Sequence, residues 1–436
     1  MESGELGCQL YRSFDAEKEI AMKKIIFAIC ILLVAVTSYG SQDFIGVLNN
    51  APYKIRVPEN WNGELLIYAH GIYYLERWDT HQYDFSYADA APGGKVMEDF
   101  LLGRGYALAG TTFRGTGFQV KEGTHDLVPL VGLFNNLVGK PMRTILIGYS
   151  MGSLIALKSA EEVPIYDGII TGCTIGSGTT RIQDLVGDVA LAYATLFGWP
   201  AGWGTWYDVR DDINFNAEVF PVLVSQLSDP NNIPKFEFLR VLIGGFIEGY
   251  YENPGWFFFI MFGATEGRGE LEARAKGPIV QNVGHVYTLK DLDKGYLMSI
   301  GFTAERIESL LSAMNAAAVV RTAPSQRNYL AEYFDPSGDF RRPVISLHEI
   351  GDGFIGAYHE SALRDTVNSA GKQEFFVQAF TGGSWHCGFT GPQLLSAVDA
   401  MDYWLDEGGK PGPEFFPENL GFIPGFVPPP WPIGTE

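Results

Sequence analysis

The chain has 436 residues, of which 46% are hydrophobic and 19% charged, so it can bury a large core. Its 31 Lys and Arg stand against 51 Asp and Glu, a net charge of -20. A surface that acidic repels nucleic acid and anionic membrane, and it argues against both as partners without naming a substrate.

Aromatic residues are abundant, at 30 Phe, 21 Tyr and 9 Trp. That supply suggests a thick core or an aromatic-lined cavity. The length fits two or three domains, or one domain carrying an insertion.

Residues 1–21 are polar and acidic and read as an extension upstream of the true initiator, Met22. Met22-Lys23-Lys24 is a short basic start, Ile25 to Val36 is an unbroken apolar run, and Thr37 to Ser41 are small or turn-forming. These three parts predict a signal peptide over 22–40, cleaved after Gly40. The apolar run is shorter than the roughly 20 residues needed to span a bilayer. The expected protein is therefore secreted or periplasmic, without stable membrane insertion. Cys30 lacks the small residues of a lipoprotein cleavage box, and cleavage would leave two cysteines, Cys173 and Cys387. An even pair in an oxidising compartment invites a disulfide, and two buried thiols are the alternative.

Phe44 to Leu48 and Tyr53 to Val57 read as short edge strands. Glu64 to Ala69 is a near-continuous apolar strand, the pattern of a strand covered on both faces. It runs into His70-Gly71-Ile72-Tyr73. A helix near Val96 to Leu102, a strand Tyr106 to Thr111 and a helix His125 to Leu137 follow. Strand Thr144 to Gly148, helix Met151 to Ala160 and strand Gly168 to Gly172 complete the first half. Strand and helix resume with Pro343 to Leu347, Tyr358 to Val367, Glu374 to Ala379 and Pro392 to Leu405. This alternation predicts a parallel sheet with helices on both faces. Residues 181–339 differ in texture. They are rich in Trp, Phe and Tyr, helical in period near Ala304 to Val320, and free of a strand repeat. They read as a cap inserted over the C-terminal edge of the sheet. Residues 411–436 are rich in Pro and Gly and read as a surface tail without regular structure.

The stretch that carries chemistry is Gly148-Tyr149-Ser150-Met151-Gly152, between a buried strand and a helix. A sharp strand-to-helix turn strains its central residue and needs small neighbours where the two elements converge. It leaves the Ser150 hydroxyl at a helix N-terminus, beside free N–H groups and partial positive charge. Gly-x-Ser-x-Gly in this context is a nucleophile elbow.

With this elbow the chain resembles the α/β-hydrolase superfamily of esterases, lipases and peptidases, over roughly 45–180 and 340–408. The resemblance implies an α/β-hydrolase core from 41–180 and 340–410, a mostly parallel sheet flanked by helices, with a large, mainly helical cap. It also implies the chain order nucleophile, acid, histidine. His386 lies in Thr381-Gly382-Gly383-Ser384-Trp385-His386-Cys387, after the last core strand, and is the expected base. Asp352, four residues after His348 in a segment like the superfamily's H-G-x-x-D, is the expected acid. Glu349 departs from that pattern by replacing the Gly; it is the alternative acid, or otherwise a solvated loop charge. The oxyanion hole is expected from the N–H of Met151 and that of Gly71 or Ile72, with His70 structural. Cys173 follows the strand beside the nucleophile strand, and a Cys173–Cys387 disulfide would brace the His386 loop.

Other signals are weak. In a zinc HExxH motif begun at His348 or His359, the second histidine position holds Asp352 or Leu363. No Cys/His cluster has zinc spacing, Gly115-Thr116-Gly117 completes no dinucleotide fingerprint, and Asp291-Leu292-Asp293 lacks the rest of a calcium loop. No cofactor is implied. A serine rather than an aspartate at the elbow points to acyl transfer.

The expected protein is thus a secreted serine hydrolase of carboxylic esters. Its substrate would be a small-molecule or polymeric ester with an aromatic or medium-length acyl group. An aminopeptidase-like serine peptidase is the alternative. Glu248, Glu252, Glu266, Glu270 or Glu272 would then anchor the substrate amine, and otherwise these are mostly surface charges. A non-enzymatic binding protein is a third reading, against which the intact Ser-Asp-His set argues. The sequence leaves the oligomeric state open.

Overall fold

The computed structural model describes residues 41–73, 88–244 and 256–435. The expected signal peptide, the extension before it, and Glu248 and Glu252 lie outside these residues. No helix among the described residues is long and apolar enough to cross a membrane.

The hairpin β1 (Gln42–Leu48) and β2 (Ala51–Val57) turns through Asn49 and Asn50, both at positive φ (52° and 66°). Such a turn matches the strand twist, and Asn tolerates the left-handed region better than most residues. The other sheet strands are β3 (Glu64–Ala69), β4 (Ala107–Thr111), β5 (Arg143–Tyr149), β6 (Gly168–Gly172), β7 (Val344–Glu349) and β8 (Phe376–Thr381). Their order is β1-β2-β4-β3-β5-β6-β7-β8. β2 is antiparallel to both neighbours, and β3 to β8 are parallel. The strands closely match the expected ones. β8 starts two residues later than expected, because Gln373–Phe375 close a 3-10 turn first.

Both sheet faces are covered, which is why the inner strands are apolar without alternation. On one face Leu65, Ile67, Leu146, Ile169 and Val344 meet α2 (Val120–Leu137) and α3 (Met151–Glu162). On the other, Leu66, Ile145, Ile147, Ile170 and Ile345 meet α1 (Lys95–Gly103) and α13 (Gly391–Glu407). Consecutive residues go to opposite faces, as a strand requires. Each such Leu or Ile gains about 1.5–3 kcal/mol from burial.

Between β6 and β7 the chain is mainly helical. It runs through α4 (Gly178–Phe197), α5 (Phe220–Leu227), α6 (Ile233–Leu242), α7 (Trp256–Ala264), α8 (Glu266–Ala275), α9 (Asp291–Ser299), α10 (Ala304–Ala316) and α11 (Pro324–Phe334). This segment has its own core, with Tyr193, Trp203, Phe236, Phe238, Trp256 and Phe257 inside it. Its last helix returns to the sheet, where Leu330 and Phe334 join the α2–α3 face. α12 (Tyr358–Ser369) then joins β7 to β8.

Two expectations need correction. Glu270 and Glu272 are not surface charges. Both are buried: Glu270 accepts from the Phe118 N–H and pairs with Arg274, and Glu272 accepts from the Val209 N–H and pairs with Arg268. Burial pushes Glu272 up to about 7. The C-terminal segment is not a structureless surface tail either. Phe416 and Phe422 enter the core beneath α13, Phe422 bridges Thr381, and Gly434–Thr435 pair with His285–Val286.

Candidate active site

Ser150 sits between β5 and α3 with φ 55°, ψ -122°. A Cβ added at Gly148 would collide with the carbonyl oxygen of Gly152, and one at Gly152 with that of Ala69. The two glycines are therefore required by close packing of β5, α3 and β3. The Ser150 N–H still donates to the Gly172 carbonyl (3.0 Å), so the strain begins where the strand ladder ends. Below the turn, the Ser153 hydroxyl donates to the Ser150 carbonyl and accepts from the Ile175 N–H.

The structure brings the three expected side chains together from three separate loops. His386 Nε2 lies 2.8 Å from Ser150 Oγ, and His386 Nδ1 lies 2.8 Å from Asp352 Oδ2. A carboxylate can only accept, so Nδ1 carries the proton and Nε2 is free to accept from the serine hydroxyl. Asp352 is fully buried, and its Oδ1 accepts from the N–H groups of Phe354 (2.8 Å) and Ile355 (2.9 Å). Both carboxylate oxygens are thus used, which fixes the carboxylate's rotation and the imidazole it faces.

Glu349, the alternative acid, does not reach the histidine ring in a hydrogen bond. It is not solvated either: it is 2% exposed and accepts from the Gly388 N–H at 2.6 Å. Burial, together with nearby Asp352, pushes its carboxyl up to about 7. A Cβ at Gly383 would strike its Oε1. The His386 loop is therefore folded around this carboxyl group, with Gly383 and Gly388 on either side of the histidine. The sequence gives a signal for this only in hindsight: a carboxylate at the end of a parallel strand faces the loop that follows its neighbour.

The loop is also bonded covalently. Cys387 forms a disulfide with Cys173 at the end of β6, with Cα atoms 5.1 Å apart. Both cysteines have positive φ (45° and 63°). Cys173, His386 and Cys387 bring potential metal-ligand atoms within 4.8 Å of one another. The two sulfurs are spent on the disulfide and the histidine nitrogens on Ser150 and Asp352.

Gly71 and Ile72 lie beside the serine. A Cβ built on Gly71 would be 3.3 Å from Ser150 Cβ, and Ile72 lines the same cavity. His70 is buried, with its ring stacked between Tyr73 (4.3 Å) and Phe113 (4.2 Å), and Nδ1 lies 2.5 Å from the Gly71 carbonyl oxygen. Burial lowers His70 to about 4, so it is neutral and orients the Gly71 peptide.

Above Ser150 opens a cavity of about 650 Å³. The sheet side contributes Tyr68, Tyr149, Phe354 and His386, and the helical segment contributes Phe215, Phe220, Phe258, Phe259 and Phe262. Phe259 packs on Phe354 (5.1 Å), which in turn meets the His386 ring edge-to-face (5.0 Å). The helical segment therefore touches the histidine through one aromatic side chain. Among the described residues, no carboxylate and no Lys or Arg lines this cavity.

No family model matches the chain. Among curated proteins, an o-phthalyl amidase from Xanthobacter agilis is 31% identical over 86 residues, a stretch spanning 20% of this chain and only 18% of that protein. Among solved structures, the chain resembles a Pyrococcus furiosus esterase (12% identity, TM-score 0.36, 87% of this chain and 90% of that one). It also resembles an Aspergillus oryzae esterase (14% identity, TM-score 0.39, 85% and 80%). The chain has the α/β-hydrolase fold. Its strand order, elbow and parallel strands state this on their own, and the chemistry is read from the site's geometry.

Proposed function

We propose that this protein is a serine hydrolase that cleaves carboxylic esters through an acyl-enzyme on Ser150. The observation that supports this most is the unbroken hydrogen-bonded chain from Ser150 Oγ through His386 to Asp352, ending on two backbone N–H groups. Ser150 Oγ attacks the ester carbonyl carbon while its proton passes to His386 Nε2. Asp352 stabilises the imidazolium and holds its tautomer. The N–H of Met151, with that of Gly71 or Ile72, donates to the developing oxyanion, a contribution of about 3–4 kcal/mol. The carbon–oxygen bond to the alcohol then breaks, and His386 returns its proton to the departing oxygen. A water, deprotonated by the same nitrogen, hydrolyses the acyl-enzyme and releases the acid.

The apolar lining favours an uncharged substrate, and among the described residues it holds no carboxylate to bind an amine. Glu270 and Glu272, candidates for such an anchor, are committed to backbone N–H groups and arginines. These two are therefore not free to anchor an amine, while Glu248 and Glu252 lie outside the described residues. The local likeness to o-phthalyl amidase favours, as a second reading, an amide as the bond cleaved. The helical segment acts as a cap over the site. The Cys173–Cys387 disulfide supports an oxidising compartment, in keeping with secretion.

The test is a hydrolysis screen with p-nitrophenyl esters, aryl amides and aminoacyl arylamides, with Ser150→Ala as control. Ester turnover that disappears in Ser150→Ala is the expected result. Turnover confined to aminoacyl arylamides, or ester turnover that survives the substitution, would contradict the proposal.

A further inference from the structure

Two cavities meet at Ser150, and they differ tenfold in size. The large one is about 650 Å³. The small one is about 60 Å³ and lies on the Met151 side, with Ile182, Gln183, Val186 and Leu271 in its wall. Ile72, Phe262 and Phe354 separate them and line both. His386 lines the large cavity and not the small one.

That asymmetry assigns the two halves of a substrate, given the ester-hydrolase mechanism on which it rests. A carbonyl carbon bonded to Ser150 Oγ carries an oxyanion, an acyl substituent and a leaving oxygen. The leaving oxygen takes its proton from His386 Nε2, so it must lie within hydrogen-bond reach of that nitrogen. The space next to His386 is the large aromatic cavity. The acyl substituent is left with the small cavity, beside Met151. We infer that the substrate joins a short acyl group, seated between Ile182, Val186 and Leu271, to a bulky apolar alcohol seated among the phenylalanines.

Sizes support the assignment. The small cavity is about a tenth the size of the large one, so of the two it takes the shorter substituent. That fits acetyl, hydroxyacetyl or propionyl. The large cavity falls in the range of about 300–1,000 Å³ typical of sites for whole small molecules. The aromatic half of the substrate is then the alcohol. This reverses the sequence-based expectation of an aromatic or medium-length acyl group.

Besides Ser150, the small cavity is lined by one polar side chain among the described residues, Gln183. Gln183 is 7% exposed, and its Oε1 is buried without a hydrogen-bond partner among the described residues. A buried acceptor left unmet costs about 1–3 kcal/mol. A hydroxyl on the acyl α-carbon would meet it, so a hydroxyacetyl ester should be favoured over a propionyl ester of the same size.

The decisive test uses two constitutional isomers, naphthylethyl acetate and ethyl naphthylacetate. Both release a primary alcohol, so intrinsic reactivity is similar and only the placement of the ring differs. The expected result is kcat/KM at least about tenfold higher for naphthylethyl acetate. Extending its acetyl to hexanoyl should cost a further tenfold or so, and Val186→Ala should recover part of that loss. Gln183→Leu should lower turnover of the hydroxyacetyl ester several-fold more than that of the acetyl ester. A ratio near one, or one favouring ethyl naphthylacetate, overturns the assignment while Ser150-dependent turnover keeps the hydrolase reading. Equal losses on both esters in Gln183→Leu remove the role given to that residue. Absence of Ser150-dependent turnover of either isomer removes the mechanism and the assignment together.

Discussion

The sheet and the helical segment above it meet at one site but are built on different principles. The sheet core is largely aliphatic, with side chains that alternate between two covered faces and place backbone atoms to within hydrogen-bond tolerance. The helical segment is packed around aromatic rings in edge and tilted contacts, such as Phe236 on Phe257 (4.6 Å) and Phe220 on Phe258 (5.0 Å). The sheet supplies every member of the hydrogen-bonded chain, from loops at the ends of β5, β7 and β8. The helical segment supplies none of it, but it gives the large cavity five phenylalanines. Reactivity should therefore be encoded in the sheet and selectivity in the helices, and substitutions can separate the two.

Changes to the sheet's chemistry should be the most severe. Ser150→Ala should reduce kcat on esters by at least about 10⁴-fold with an unchanged thermal midpoint. Asp352→Asn keeps the shape but offers an amide donor in place of an acceptor, so a loss of about 10⁴-fold is expected, read from kcat on p-nitrophenyl acetate. A loss below tenfold in either would mean that the sheet loops do not carry the reaction.

The disulfide sharpens the comparison, because it bonds the His386 loop to β6 and involves nothing in the helical segment. Replacing both cysteines, as Cys173→Ala with Cys387→Ser, should cost about 2–5 kcal/mol in chemical denaturation. The thermal midpoint and kcat should fall together. Retained kcat in a destabilised protein would show that Glu349 and Asp352 alone hold the loop.

Glu349 gives a pH dependence. Its folded-state pKa of about 7 lies above its ordinary value of 4.5, because burial disfavours the charged form. Its contribution is therefore fully present below about pH 4.5, and it is lost as pH rises through about 7. Glu349→Gln should flatten that part of the stability curve while leaving the Asp352–His386 pair in place. An unchanged slope between pH 5 and 8 would contradict the burial argument. The smallest expected effect lies in the helices. Phe259 is 45% exposed, so Phe259→Ala should shift stability by less than about 1 kcal/mol and act mainly on KM for bulky alcohol esters.

The same division explains what could be read from the sequence. Strands β3, β5 and β6 are short apolar runs with no competing pattern, and the elbow glycines mark a turn that only glycine fits. Ser150, Asp352 and His386 follow from that turn and the chain order of the superfamily. The first turn of α2 escaped notice because Gly123 and Thr124 break the helical pattern, although Gly123 is packed against Ile155 and Phe113. Glu270 and Glu272 looked like surface charges because their partners, the N–H groups of Phe118 and Val209, are more than sixty residues away and carry no sequence mark. Glu349 was hidden in a similar way, its partner being the Gly388 N–H 39 residues on. The two cavities at Ser150 are the extreme case, since their volumes depend on how the helical segment sits over the sheet.

The claim on which the account stands is that Ser150 is an activated nucleophile. Incubation with an aryl fluorophosphonate, followed by intact-mass and peptide analysis, tests it directly. One adduct per chain on the peptide containing Ser150, absent in Ser150→Ala and strongly slowed in Asp352→Asn, is the predicted result. A protein that stays unmodified, or one modified equally in Ser150→Ala, would contradict the account.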